Sequence, residues 1–344
     1  MKKGCKFGTH RVIEPIGSLP QGALKISNDM EIMSNEVLIN VQTLNIDSAS
    51  FTQIKEACNR DEKKMAEMIE GIVAERGKMQ NPVTGSGGML IGTIEKIGPD
   101  FPDKTLKVGD KIATLVSLSL TPLKINEIKK INISNDQVDV DAKAVLFESG
   151  IYAVLPKDIP EKLALAALDV AGAPAQVEKL VKEGDTVCII GGGGKSGILC
   201  CYQAMKNVGK TGKVIVFEYS ESNAQRIRDL GLAHVVLVGD ATKPVEIYNK
   251  INEITNGELC DVVINNVNVP GTEMSSILIT KDDGVVYFFS MATSFTKAAL
   301  GAEGVGKDVT MIVGNGYTKG HANLTLEIIR ESKDIRELFE KLYV

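Results

Sequence analysis

From Asp185 onward the apolar positions fall into short dense blocks: DTVCII, KVIVFEYS, HVVLVG, LCDVVINNV, GVVYFFSM and DVTMIVGN. Runs of this length, rich in valine and isoleucine and bounded by glycine or polar clusters, read as strands buried on both faces. Between them the apolar residues take helical spacing, in SGILCCYQAMKNVG, SNAQRIRDLGL, PVEIYNKINEITNG and a segment near 272–280. LTLEIIRESKDIRELFEKLYV closes the chain as a helical tail. Upstream, a helix is predicted near 161–182, which Gly172 and Pro174 interrupt or kink. Strand and helix in alternation predict a parallel sheet with helices on both faces, the doubly wound α/β class.

The preceding segment has a different pattern. Residues 31–47 alternate partially and predict one or two strands. Over 52–76, Ile54, Cys58, Met65, Met68, Ile69, Ile72 and Val73 recur near helical spacing among Lys, Glu and Arg, so one or two amphipathic helices are expected, ending before Gly77 and Pro82. This stripe is read as core in preference to a lid or subunit contact. Close-set glycines and β-branched residues over 84–116 suggest a small, strongly bent sheet or barrel. Further short strands follow over 121–155, with a sheet edge expected at VDVDAKAVL.

Charge and composition narrow the partners. A net charge of −5 argues against nucleic acid or an anionic membrane surface, and 5% aromatics with no tryptophan offers no platform for stacked bases. No run is long and apolar enough to span a membrane, and MKKGCKFGTHRVIEP lacks the apolar core of a signal peptide. Six cysteines without a C-x-x-C pair fit free thiols in a reducing cytoplasm. With three histidines and no thiol cluster, no metal is expected.

The chemical signal is the glycine turn. Gly192, Gly193, Gly194, Lys195, Ser196 and Gly197 fit G-x-G-x-x-G between the strand ending at Ile190 and a helix. Gly192 is expected to allow the tight turn, Gly194 to let a pyrophosphate approach the backbone, and Gly197 to let the helix pack on the strand. The next strand ends at Glu218, placed to accept both hydroxyls of an adenosine ribose and to repel a 2′-phosphate, which favours NAD. Arg226 lies farther on and would weaken that preference. Lys195 either meets the pyrophosphate or faces solvent. Asn265 and Asn266 end a strand of the same sheet and are placed near the nicotinamide, or else serve the turn. The P-loop reading of Gly194-Lys195-Ser196 fails, because Ile189 stands where that motif requires glycine.

GSGGMLIGTIEKIG, LKVGDKIATLV, LVKEGDTVCIIGGGGKSG and KVIVFEYSESNAQRIRDLGLAHVV resemble the medium-chain dehydrogenase/reductase superfamily. That resemblance implies a GroES-like barrel-type catalytic domain over 1–157 and 316–344, and a Rossmann domain over 158–315. The zinc ligands of that superfamily have no counterpart in LNIDSASF, in VTGSGG or around Ala167–Asp169. More narrowly, GCKFGTHRVIEPIGSLPQ, FESGIYAVLP and YTKGHANLTLEIIRESKDIRELF resemble the L-erythro-3,5-diaminohexanoate dehydrogenases of bacterial lysine fermentation. This implies NAD-dependent oxidative deamination of a diamino acid to 5-amino-3-oxohexanoate with release of ammonia, by a homo-oligomer, dimer or tetramer.

Such chemistry needs a base for the reacting amine, a carboxylate for the second ammonium, and a donor for the substrate carboxylate. Asp47, Glu148 and Asp169 are the candidates for the first two roles, with the assignment among them open, and a capping or solvated role stands beside each. Arg11 is the candidate carboxylate clamp, set against a surface role. His10 belongs to the same segment, His234 is read as structural, and His321 precedes the last helix. Two other readings stay open: a zinc-free NAD(P)H-dependent enoyl or quinone reductase, against which Glu218 counts, and a non-catalytic NAD-binding sensor.

Overall fold

The computed structural model describes residues 1–290, 292–314 and 316–344, with Ser48 by its backbone alone. The chain divides into two compact units, Met1–Lys157 and Asp158–Val344.

In the first unit β1 (Val12–Glu14) and β2 (Lys25–Ile26) form a small antiparallel ribbon. The main sheet is built from β3 (Val37–Asn45), β4 (Met89–Ile97), β5 (Lys111–Thr114), β6 (Leu123–Asn132), β7 (Gln137–Leu146) and β8 (Tyr152–Val154). It is antiparallel throughout, in the order β6-β7-β3-β4-β5-β8. The register slips between Val41 and Thr43 against both neighbours, a bulge that bends the central strand. VDVDAKAVL was expected at an edge, but it is β7 and lies between β6 and β3. The edge is LKINEIKKIN, whose exposed lysines and glutamate discourage pairing with another chain.

The amphipathic segment forms α1 (Ser48–Ala57) and α2 (Glu62–Arg76). Asp61 caps α2 by accepting from the Lys63 and Lys64 amides, and Gly77, at φ +73°, ends it. Phe51, Ile54, Met65 and Ile69 are fully buried in one cluster with Val37, Ile39 and Leu44 of β3. The stripe is therefore core.

The second unit contains α3 (Glu161–Leu168), α4 (Gly172–Leu180), β9 (Thr186–Ile190), α5 (Lys195–Asn207), β10 (Lys213–Glu218), α6 (Glu221–Asp229) and β11 (Val235–Val238). It continues with α7 (Pro244–Ile254), β12 (Cys260–Asn265), α8 (Glu273–Leu278), β13 (Thr280–Phe288), α9 (Phe295–Val305), β14 (Thr310–Val313), α10 (His321–Glu331) and α11 (Lys333–Tyr343). The sheet is wholly parallel, in the order β11-β10-β9-β12-β13-β14. The order reverses between β9 and β12, and a crevice opens outside the carboxyl ends of strands at such a point.

Four details add to or differ from the sequence reading. The helix near 161–182 breaks at Asp169–Ala171, and Pro174 falls in the first turn of α4, where its missing N–H is least costly. Helix α9 was not anticipated, because its alanines and glycines carry little periodic signal. The closing tail breaks at Ser332, which caps α11 through the Ile335 amide. Residues 316–344, expected with the first domain, cluster with the second unit, where α10 packs on α3, α4 and α5.

Candidate active site

The glycine turn joins β9 to α5, and its geometry corrects the roles read from the motif. The left-handed residue is Gly191, at φ +79°, not Gly192. Gly192 is required for packing instead, since a Cβ there would lie 2.6 Å from Val216 Cγ1 and 3.2 Å from Cys201 Sγ. A Cβ on Gly193 would lie 2.4 Å from Asn223 Cβ, and one on Gly197 2.2 Å from the Gly191 carbonyl oxygen. Helix α5 thus starts hard against the end of β9. Gly194 is the exception: apart from its chain neighbours, no atom of the described residues lies within 4 Å of the position of its absent Cβ. It lines a cavity of about 490 Å³ that extends to Glu218, Asn223, Ala241, Asn266 and Thr272. Gly194 caps α5 without a side-chain acceptor, and no acidic residue stands in the helix's first turn. The uncapped amides and the positive end of the helix dipole are arranged for an anion.

Glu218, at the end of β10, is 7% exposed. Its Oε2 accepts from the Gly193 amide at 2.8 Å, and its Oε1 from the amides of Tyr219 at 3.1 Å and Ser220 at 3.4 Å. The Asn223 amide nitrogen donates to Oε1 at 3.4 Å. The carboxylate is held by neutral donors at the cavity wall. Arg226 is turned to Asn223, donating to its Oδ1 at 3.1 Å.

The two asparagines of β12 part company. Asn265 does not reach the cavity. Its amide nitrogen donates to Thr272 Oγ1 at 2.8 Å and Ser276 Oγ at 2.9 Å, while its oxygen accepts from the Val267 amide, so its side chain is spent on holding the loop after β12. Asn266 lines the cavity, and both its side-chain polar atoms are buried without a hydrogen-bond partner among the described residues. Burial pushes the thiol of neighbouring Cys200 up to about 12, the Asn266 amide acting weakly the other way. Such an orphaned amide at a strand end suits a polar ligand.

Lys195 opens α5, and its ammonium pairs with Asp169 Oδ2 at 2.9 Å. Asp169 sits at the carboxyl end of α3. His234 takes the Val214 amide on Nδ1 and is structural. His321 is buried, which lowers its pKa, with its ring edge-on to Tyr317. The motif reading missed Gly191 and the contribution of Asn223 and the Asp240–Thr242 segment to the cavity. The run of four glycines and the position of Asp240 just past a strand end were the available signals.

In the first unit, Asp47 caps α1, its Oδ1 accepting from the Ser50 amide at 3.0 Å. Its Oδ2 is buried with no partner among the described residues. Glu148 Oε2 accepts from Asn35 at 2.8 Å, and Asn35 in turn holds the Gly4 backbone. Arg11 is not a substrate clamp. It is 4% exposed, and its guanidinium holds Glu36 through Nε at 2.9 Å and Nη2 at 2.6 Å. It also donates to the carbonyls of Asp29 and Glu31. His10 Nε2 adds a bond to Glu36 at 3.0 Å. Burial pushes the Glu36 carboxyl up, but Arg11 and the Met33 amide more than reverse it, and it stays below the usual carboxylate range. Among the described residues no group of three His, Cys, Asp or Glu side chains converges to hold a metal ion. No helix among them is long and apolar enough to cross a membrane.

Residues 10–156 match the model of the L-erythro-3,5-diaminohexanoate dehydrogenase N-terminal domain. The chain is 64% identical over 343 residues to the L-erythro-3,5-diaminohexanoate dehydrogenase of Acetoanaerobium sticklandii, covering 99% of this chain and all of that one. It is 64% identical over 345 residues to the enzyme of the same name from Fusobacterium nucleatum, with both chains covered in full. Among solved structures, the CurK enoyl reductase superposes with a TM-score of 0.54 at 17% identity, over 92% of this chain and 81% of the other, a likeness of fold. With an antiparallel sheet in the first unit, a parallel dinucleotide-type sheet in the second, and identity that runs from end to end, the chain belongs to the L-erythro-3,5-diaminohexanoate dehydrogenase family.

Proposed function

We propose that the chain oxidises L-erythro-3,5-diaminohexanoate with NAD and water, yielding 5-amino-3-oxohexanoate, NADH, ammonium and a proton. The end-to-end likeness to the two named dehydrogenases supports the substrate. The observation that carries the cofactor choice is the buried Glu218 carboxylate, held by neutral donors at the end of β10. An uncancelled charge there accepts ribose hydroxyls and repels a 2′-phosphate. Gly194 leaves room for the pyrophosphate, and the orphaned Asn266 amide offers donor and acceptor to the polar part of the ligand. NAD held by these residues would supply the hydride acceptor for the amine-bearing carbon.

The chain's own part is proton management. The reacting amine must be neutral before its carbon gives up hydride, and the oxidised centre must then take up water and release ammonia. A carboxylate relays those protons. Of the three candidates, Glu148 is engaged by Asn35 and Asp169 by Lys195, whereas Asp47 retains an oxygen without a donor among the described residues. Asp47 is therefore assigned the base. The six free cysteines fit a reducing cytoplasm, and a homo-oligomer is part of the same proposal, which sedimentation as a monomer would refute.

The test is NADH formation at 340 nm from NAD and 3,5-diaminohexanoate after exhaustive chelation. Turnover is expected. Asp47→Asn should lower kcat by about 10²–10⁴-fold with NADH affinity unchanged. Absence of turnover by a protein that binds NAD would sink the substrate assignment. Full kcat in Asp47→Asn would sink the base.

A further inference from the structure

Lys195 stands in an electrostatically awkward place. It is the first residue of the 13-residue helix α5, where the helix dipole is positive and cations are disfavoured. Two features nevertheless hold it there. Asp169 pairs with its ammonium at 2.9 Å, although Asp169 is half exposed and Lys195 28% exposed. From the other side, the ammonium lies 5.4 Å from the ring centroid of Tyr343 on α11. That ring is fixed in turn, edge-on to Phe339 at 5.0 Å, and Phe339 is fully buried. Tyr343 is half-buried, with Arg226 as its charged neighbour on α6.

Two helices that do not form the glycine turn, α3 and α11, thus each contribute one group to a single ammonium beside it. A lone carboxylate does not balance the helix end and the lysine together, whereas a pyrophosphate brings two further negative charges. We propose that Lys195 is the cation that answers the cofactor pyrophosphate, and that Asp169 and Tyr343 are positioning residues that aim it. This rests on the dinucleotide reading of the site. It moves Asp169 out of the chemistry and brings the closing helix into cofactor affinity.

The experiment titrates NADH by its own fluorescence, which is feasible because the chain has no tryptophan. ADP and adenosine are then used as competitors. Lys195→Met should weaken NADH and ADP about tenfold and leave adenosine unchanged. Asp169→Asn and Tyr343→Leu should each weaken NADH about threefold, while Tyr343→Phe, which keeps the ring, stays near wild type. The Lys195→Met effect should shrink as salt is raised. Unchanged NADH affinity in Lys195→Met, or an equal loss for adenosine, would overturn the proposal. So would loss of kcat in Asp169→Asn with NADH affinity intact, or a Tyr343→Phe as weak as Tyr343→Leu. Lys195→Met and Asp169→Asn alter partly exposed side chains and keep the test open if Tyr343→Leu does not fold. NADPH run in parallel separates the two levels: a chain that prefers NADPH loses the Glu218 reading, while the pyrophosphate is common to both.

Discussion

Among the glutamates that lie almost wholly out of solvent are Glu36 in the first unit, 1% exposed, and Glu218 in the second, 7% exposed. Glu36 meets a guanidinium that bonds both its oxygens, with His10 and the Met33 amide adding further donors. Glu218 meets four neutral donors, three backbone amides and the Asn223 side chain. Both satisfy the requirement that a buried carboxylate be hydrogen-bonded. They differ in what is left over. A charged partner cancels the charge and makes the pair a structural tie, here one that pins the segments around Asp29 and Glu31 beneath Arg11. Neutral donors solvate the charge without cancelling it, so it remains available to a ligand. The partner of a buried carboxylate, more than its burial, separates the structural acid from the functional one.

The largest effect expected from this contrast is on stability. Arg11→Met should cost about 3–5 kcal/mol in urea unfolding at neutral pH, because it leaves Glu36 charged and buried without its cation. In the wild type the folded pKa of Glu36 is lowered, so its contribution is full above the unfolded carboxylate range and is lost as pH falls through the folded value. In the variant burial is opposed only by the Met33 amide and His10, so that pKa rises relative to wild type and the gap should narrow in acid. A gap independent of pH between 3 and 7 would break the comparison on the Glu36 side. The next effect is on binding. Glu218→Gln keeps acceptors for the Gly193 amide but removes the charge, and it should weaken NADH about tenfold, roughly 1.4 kcal/mol, while NADPH gains. Unchanged discrimination between the two cofactors would mean that the uncancelled charge is not what selects.

The two units also differ in how much of them could be read from the chain. The parallel sheet and the glycine turn follow from dense apolar strands, helical spacing between them and glycines at fixed intervals, so Gly194, Gly197 and Glu218 are placed by local pattern. The one-residue shift that gives the left-handed role to Gly191 was hidden inside a run of four glycines. Arg11, offered as a clamp, and Asn265, offered as a nicotinamide neighbour or a turn residue, are kept from a ligand for a common reason. Each carries groups that suit a ligand, and each has them filled by partners distant in sequence or across a loop, Glu36 at a separation of 25 residues and Ser276 at 11. Asp169 stands 26 residues from its partner Lys195. Residue type announces capacity, but occupancy depends on tertiary pairing, which leaves no periodic trace. The edge misassigned to β7 has the same origin, since alternation marks a strand without telling which neighbours it finds.

Lys78 completes the contrast from the cationic side and gives the smallest expected effect. Its side chain is fully buried just past the end of α2, and its ammonium donates to the carbonyls of Pro20 at 2.6 Å and Gln21 at 3.4 Å. Like Glu218 it is solvated by neutral groups and its charge is not cancelled. Burial, with Arg76 adding to it, brings its pKa down to about 8. The unfolded chain therefore binds more protons than the folded one between about 8 and the ordinary lysine value near 10.4, and stability should rise with pH across that window. Below about 8 both states carry the charge and the folded state bears the full cost of burying it. Lys78→Met removes that cost together with the two bonds to the turn at Pro20 and Gln21. The difference in unfolding free energy between wild type and Lys78→Met should shift in favour of the wild type by about 1 kcal/mol from pH 8 to pH 9.5. Taking the difference cancels the tyrosines and cysteines that titrate in the same range. A difference that stays constant from pH 7 to 10 would show that the ammonium keeps its ordinary pKa, and that carbonyls alone can solvate a buried cation as fully as water does.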